Sequence, residues 1–299
     1  MIQHAGNTSP DNATVICFGE VLWDNLPGGR QIGGAPLNVA YHLHKLGVEV
    51  SLISRVGNDE AGAGIRDFVG KSGLGNSVLQ TDPLYPTGSV EVMIQPGGGI
   101  IYDIIRDVAW DFIVYDQEVR DLIGQAGYLV YGSLITRNDE SEKTLFALLE
   151  QPLVKILDVN LRAPYYSKDV LGRLMGKADI VKMNEEELSL IAGWFGHAGD
   201  DHQRMKGLRE LFDLDILIVT CGAKGAFLIR ENEVCFEPGQ PTTVVDTVGS
   251  GDAFLAGFIS GYIAGKPLSA GLKIAGTMGA LVAGKAGGCP PYDQNDIPA

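Results

Sequence analysis

An α/β protein built on a doubly wound, mostly parallel sheet flanked by helices is the fold this sequence predicts. Three observations carry that reading. Short apolar runs such as VICF (15–18) and VSLISRV (50–56) lack the alternation of a half-exposed strand, as strands buried on both faces do. Segments of helical periodicity separate those runs. The 299 residues, 45% hydrophobic and 20% charged, suffice to bury one large core.

Taken in chain order, strands are predicted at 15–18, 50–56, 128–132, 154–160, 179–183 and 215–220. Helices fall at about 36–46, 59–72, 139–150, 185–192 and 202–212, and two more at 251–264 and 268–284 close the chain. Ligands of such a sheet collect at the carboxyl ends of its strands. One region breaks the alternation. Residues 86–106 read as strand, Gly-rich turn and strand, and the turn-rich 22–34 (LWDNLPGGRQIGG) is equally unhelical. The expectation is a single domain over 1–299 with a small β-lid from roughly 22–34 and 86–110. Such a flap excludes water when it lies beside an active site; a surface hairpin without function is the alternative.

Charge and cysteine usage narrow the classes of function. A net charge of −14 argues against a nucleic-acid partner, whose phosphates require Lys and Arg, yet leaves room for a nucleotide held by backbone N–H groups and a metal. Cys17, Cys221, Cys235 and Cys289 lie far apart, which favours reduced cytosolic thiols over disulfides or a zinc site. The polar start MIQHAGNTSPDNAT has no signal-peptide core, and no apolar run reaches the roughly 18 residues of a membrane span. A cytoplasmic protein with no membrane contact is expected.

The chemistry concentrates in DTVGSGDAFLAGF, Asp246 to Phe258. Phe254, Leu255, Phe258, Ile259, Tyr262 and Ile263 recur at helical spacing, so the Gly249-Ser250-Gly251 triplet sits at a helix N-terminus. Glycines admit a ligand close to the backbone, and first-turn N–H groups bind anions. Asp252 stands beside those donors, placed to take a hydroxyl proton while they stabilise a transferring phosphoryl group. A first-turn aspartate that merely complements the helix dipole is the competing reading. Rival phosphate motifs fail: Gly70-Lys71-Ser72 has Ile65 where a P-loop needs glycine, and Gly62-x-Gly64 ends on Asp67.

This stretch closely resembles the C-terminal signature of the ribokinase-like (phosphofructokinase-B type) carbohydrate kinases. Their N-terminal signature appears as GGAPLNVAYHLHKLG, Gly33 to Gly47, with Gly57 beyond it, and the resemblance runs from about residue 15 to 290. It implies an ATP-dependent sugar kinase in which Asp252 is the catalytic base and Gly249, Ser250 and Gly251 form the anion hole. It implies also that Asn184 and Glu187, an N-x-x-E motif, organise magnesium through water, although helix capping explains that pair equally well. Thr220, Gly222 and Gly225 of VTCGAKG would lie near the phosphates of ATP; an ordinary strand-to-strand turn is the plainer reading. Many members bind potassium through carbonyls, here at positions Asp246 and Val248, with AGKAGGCP closing the loop.

Within the family the sequence most resembles the bacterial fructokinases, through GEVLWDNLP, GGAPLN, VAWDFI and DVNLRAPYY. The resemblance implies that Asp24 and Asn38 bond sugar hydroxyls, that Gly34 lets the backbone approach, and that Arg162 lies near substrate and phosphate. An Arg fork also suits a carboxylate, so 2-keto-3-deoxygluconate competes with D-fructose as substrate, with ribose or a nucleoside behind them. A sugar-binding relative without catalysis is disfavoured by the intact Asp252 and its glycines. Tyr85, Tyr102 and Trp110 pack either on the sugar or in the core. The exposed edge of the 86–106 hairpin calls for a cover, and relatives that pair their flaps imply a homodimer through the lid.

Overall fold

The structure is a computed structural model that describes residues 13–26, 29–75, 77–94, 100–231 and 233–297. The polar start (1–12) and the hairpin turn (95–99) lie outside these residues, as does the side chain of Tyr102. From the N-terminus come β1 (Val15–Phe18), the pair β2 (Leu22–Leu26) and β3 (Gly29–Gly33), α1 (Ala35–Lys45), β4 (Val50–Gly57) and α2 (Glu60–Lys71). Then follow β5 (Val78–Asp82), the hairpin β6 (Gly88–Ile94) and β7 (Ile100–Ile104), α3 (Gln117–Ile123), β8 (Tyr128–Gly132), α4 (Asp139–Leu149) and β9 (Val154–Asp158). The chain continues through α5 (Lys168–Met175), β10 (Ile180–Asn184), α6 (Glu185–Trp194), α7 (Asp201–Leu211) and β11 (Ile216–Thr220). A second hairpin, β12 (Gly225–Arg230) and β13 (Glu233–Pro238), precedes the long helices α8 (Ser250–Ile263) and α9 (Leu268–Ala283).

Nine strands form one sheet in the order β13-β12-β11-β10-β9-β8-β1-β4-β5, and every pairing from β11 to β5 is parallel. The predicted mostly parallel, doubly wound sheet is therefore present. Its strands are buried on both faces, as their apolar runs require: Val15 and Cys17 of β1 enter one apolar cluster while Ile16 and Phe18 enter the other. All four have no solvent exposure.

Three strands went unforeseen. β5 extends the parallel edge, while β12 and β13 turn back antiparallel at the opposite edge. The reversal is built by VTCGAKG, where a 3₁₀ turn (Gly222–Lys224) hands over to Gly225 at φ 117, a conformation that favours glycine. Helices α3 and α5 were likewise unread, and the strand expected to reach residue 160 stops at Asp158.

A separate four-stranded sheet, β3-β2-β6-β7, gathers the two irregular regions singled out in the sequence. Its central pair, β2 and β6, is parallel and sets Asp24 opposite Val90. The segment beyond β7 departs from the expected lid boundary at 110. Trp110 is fully buried in the main core beneath the Arg137 guanidinium, which lies 3.8 Å from its ring and pairs with Asp111 at 2.7 Å. Tyr85 stacks on Phe112 at 3.9 Å. Both rings are committed to packing.

Candidate active site

Most polar groups of the site hang from a carboxyl strand end, the first turns of a helix or a neighbouring loop, while Asp24 and Lys182 lie within strands. The start of α8 shows how local sequence builds it. Gly249 is the N-cap at φ 74, a left-handed conformation, and a Cβ there would fall 2.5 Å from Gly288 Cα. Glycine thus satisfies both a backbone and a packing requirement. It offers no side-chain cap, so the first-turn donors of α8 are not closed off by one.

Those donors border a cavity of about 560 Å³ whose lining includes Thr220, Gly222, Gly225, Thr247, Ser250 and Gly251. The strand-turn residues and the last two residues of the Gly-Ser-Gly triplet, distant in sequence, therefore line one cavity. Thr220 at the end of β11 also sits opposite Asn184 at the end of β10.

Asp252 follows on the same turn but belongs to the interior. It is 8% exposed in a helix whose other buried residues are apolar or glycine. Its Oδ2 accepts a hydrogen bond from Asn38 Nδ2 at 2.8 Å, which joins α8 to α1. Burial, and then the neighbouring Asp158 carboxylate, push Asp252 up to about 6; Lys182, Asn38 and Arg162 oppose the rise. A carboxylate so placed is still a base at neutral pH and a stronger one than ordinary aspartate.

Asn38 is fixed from two sides. Its helix begins at Gly34, φ 114, where a Cβ would stand 2.4 Å from the Glu20 carbonyl oxygen. The need for glycine at 34 is thus a packing need toward β1. On the other flank, His42 bonds both Tyr292 Oη and the Gly288 carbonyl at 2.9 Å, pinning the C-terminal segment against Asn38. Burial lowers His42 to about 4, so the ring is neutral and Nε2–H donates to the carbonyl. The histidine is structural.

Asp24 lies on β2 with its Oδ2 against Gly33, where a Cβ would come within 2.3 Å. Burial raises it to about 6, with Arg162 pulling the other way. Arg162 itself is exposed, and its one hydrogen bond among the described residues goes to the Leu161 carbonyl, at 3.1 Å. Its charge is felt at Asp24, Glu20 and Asp252 alike. Asn184 and Glu187 form the capping box of α6: Glu187 N–H donates to Asn184 Oδ1 at 2.8 Å, and Asn184 N–H to Glu187 Oε2 at 2.9 Å. Glu187 Oε1 accepts from Leu161 N–H at 2.8 Å, tying the motif to the loop that carries Arg162. Asp246 staples its own loop: its carboxylate accepts from Val248 N–H and from Gly287 N–H, each at 3.0 Å.

Three residues of the site escaped the sequence reading. Glu20, two residues beyond β1, is 5% exposed; Oε1 accepts from Ala35 N–H at 3.3 Å, while Oε2 is buried with no partner among the described residues. Burial pushes it up to about 7. Lys182 and Asp158 form a buried ion pair at 2.8 Å behind Gly251. A lysine inside the apolar run DIVKM was the available signal, since an unpaired charge does not survive there.

A glycine-built helix N-terminus that meets a cavity, with a buried carboxylate on its first turn, fits a phosphoryl-transfer enzyme of ribokinase-like fold. Comparison makes the assignment specific. The chain belongs to the pfkB family of carbohydrate kinases, whose description it matches over residues 14–295. It is similar to a fructokinase of Klebsiella pneumoniae, 30% identical over 90% of this chain and 93% of that one. Among solved structures, an uncharacterized sugar kinase of Pyrococcus horikoshii in complex with ATP superposes with a TM-score of 0.78 at 26% identity, covering 94% of this chain and 96% of its own. A fructokinase double mutant of Vibrio cholerae, in its fructose-, ADP- and potassium-bound form, gives 0.80 at 24% identity over 96% and 98%. The chain is an ATP-dependent sugar kinase.

Proposed function

We propose that this kinase phosphorylates D-fructose at its 6-hydroxyl, with ATP as donor and Asp252 as base. One observation carries the mechanism: Asp252 is buried and oriented by Asn38, directly after Ser250 and Gly251, which line the cavity. ATP fits that cavity by its phosphates at the start of α8. The sugar fits the opposite side, where Asp24 and Asn38 offer an acceptor and a donor at fixed positions. The hydroxyl oxygen bonds to the γ-phosphorus as the bond to ADP breaks, and its proton passes to Asp252. N–H groups of Gly249, Ser250 and Gly251 stabilise the equatorial oxygens.

Magnesium fits the site through water rather than by direct ligation. Asn184 Oδ1 and both Glu187 oxygens accept backbone N–H groups, but a carboxylate keeps further lone pairs for metal-bound water. When bound, the ion neutralises phosphate charge. Potassium fits beside the loop that Asp246 staples to Gly287, with carbonyls at Asp246 and Val248 as ligands. Arg162 is free to reach substrate, and closing the four-stranded sheet over the sugar would exclude water. That sheet also offers an edge for pairing two protomers, so a homodimer through the lid belongs to the same proposal.

A coupled assay of ADP release over D-fructose, 2-keto-3-deoxygluconate, ribose and adenosine tests the substrate. The proposal expects the highest kcat/KM for fructose. A higher value for ketodeoxygluconate would assign Arg162 to a carboxylate and move the chain to that branch.

A further inference from the structure

Lys182 is the one lysine buried in the interior of the described residues, 8% exposed at the third position of β10. Its place follows from register: Lys182 stands opposite Asp158, the last residue of β9. Both ammonium hydrogen bonds go to that carboxylate, at 2.8 Å to Oδ2 and 3.0 Å to Oδ1. An ammonium has three donors, so one remains uncommitted among the described residues. Burial works against the charge, but Asp158, and then Asp252 and Glu187, outweigh it and keep the pKa above the ordinary lysine range. The group is a permanent cation.

Its direction is set by Gly251. A Cβ on Gly251 would lie 3.2 Å from Lys182 Nζ, so the ammonium packs on a residue that also lines the cavity. Any larger residue at 251 would push the cation away from the turn. A structural ion pair needs no such placement, because a lysine bonded to Asp158 gains nothing from facing a helix N-terminus. Positive charge at the amino end of a helix is in fact unfavourable, and a buried pair is a poor source of stability. That cost suggests a use.

We infer that Lys182 is a positioning residue, the cationic support of the anion hole, whose charge acts through the Gly251 turn on the oxygens of the transferring phosphoryl group. This rests on the kinase reading above. During transfer the bond from phosphorus to ADP breaks while the bond to the sugar oxygen forms; the hydroxyl proton goes to Asp252, and Lys182 keeps all its protons. Its contribution is to the charge that the transition state gathers on the equatorial oxygens.

The experiment must separate this from neutralisation of Asp158. Lys182→Met alone strands a buried carboxylate and risks misfolding. Asp158→Asn and the double variant Asp158→Asn/Lys182→Met remove that charge from both arms, and a thermal melt confirms that each is folded. Turnover and calorimetric titration with ADP, then with ADP, fructose and aluminium fluoride, are measured for both. The proposal expects the double variant to turn over about 10²-fold more slowly than Asp158→Asn, as removal of preorganised positive charge beside the transferring group would do, and to bind the aluminium fluoride complex correspondingly less tightly. ADP alone should bind the two equally. Equal turnover and equal aluminium fluoride binding would overturn it and leave Lys182 as a counter-ion. If the wild-type protein phosphorylates none of the sugars, the kinase reading itself fails, a result distinct from either outcome.

Discussion

Asn38 Nδ2 donates to Asp252 Oδ2 across 2.8 Å, joining residues 214 positions apart in the chain. The bond sets the carboxylate rotamer, and it favours the ionised form that can accept a proton. In the proposed mechanism it also ties the sugar side of the site to the helix that would receive phosphate. Loss of this donor should therefore be read in catalysis before it is read in folding.

Asn38→Ala is expected to lower kcat/KM by roughly 10–10²-fold, the worth of a hydrogen bond to a buried charged group. It should also move the acid limb of the pH profile upward, because Asp252 loses a group that lowers its pKa. Steady-state kinetics from pH 5 to 9 check both effects. An unchanged limb would detach Asn38 from the base.

For the wild-type protein the acid limb of kcat/KM should lie near pH 6, the value at which buried Asp252 takes up its proton. Below it, activity should fall about tenfold per pH unit. A limb near pH 4 would mean that an ordinary, solvated carboxylate governs the rate.

Glu20→Gln should stabilise the empty protein at alkaline pH. Burial raises Glu20 from 4.5 to about 7, so the folded state binds its proton more tightly than the unfolded chain. That advantage is complete below pH 4.5 and lost as pH rises through 7; at pH 8 the folded protein carries a costly buried charge. The amide removes the cost while keeping an acceptor for Ala35 N–H. Thermal melts should show a gain of about 1–3 kcal/mol at pH 8 and none at pH 4. A gain of equal size at both would exclude ionisation as the cause.

Gly249→Ala meets two obstacles at once. Its φ of 74 costs a side chain about 1–2 kcal/mol, and the new methyl would stand 2.5 Å from Gly288 Cα. Turnover and melting temperature should both fall. Retention of either would show that the turn can relax without harm.

Much of this was legible in the sequence, and the exceptions have physical reasons. VICF announced a strand buried on both faces because no polar residue interrupts it, and GSGD announced a helix N-terminus because glycines precede a helical stripe. What stayed hidden depends on neighbours supplied by the fold. VTCGAKG reads locally as a simple reversal, and only the pairing of β12 with β11 places its glycines on the cavity wall. Glu20 looks like an ordinary charge after the run VICF, and the partner of Lys182 inside DIVKM is supplied only when β9 brings Asp158 alongside. Asn184 and Glu187 serve as the helix cap in the structure, so the capping pattern in the sequence was a true signal whatever else the pair holds.

The central claim is that Asp252 removes the proton of the accepting hydroxyl, and Asp252→Asn tests it most directly. The amide keeps the size of the side chain and its oxygen still accepts from Asn38, but it takes up no proton. We predict a kcat lower by roughly 10²–10⁴, with ADP and fructose affinities little changed and the fold intact by thermal melt. A folded Asp252→Asn protein that turns over at close to the wild-type rate would contradict the mechanism and return Asp252 to the role of a helix-dipole partner.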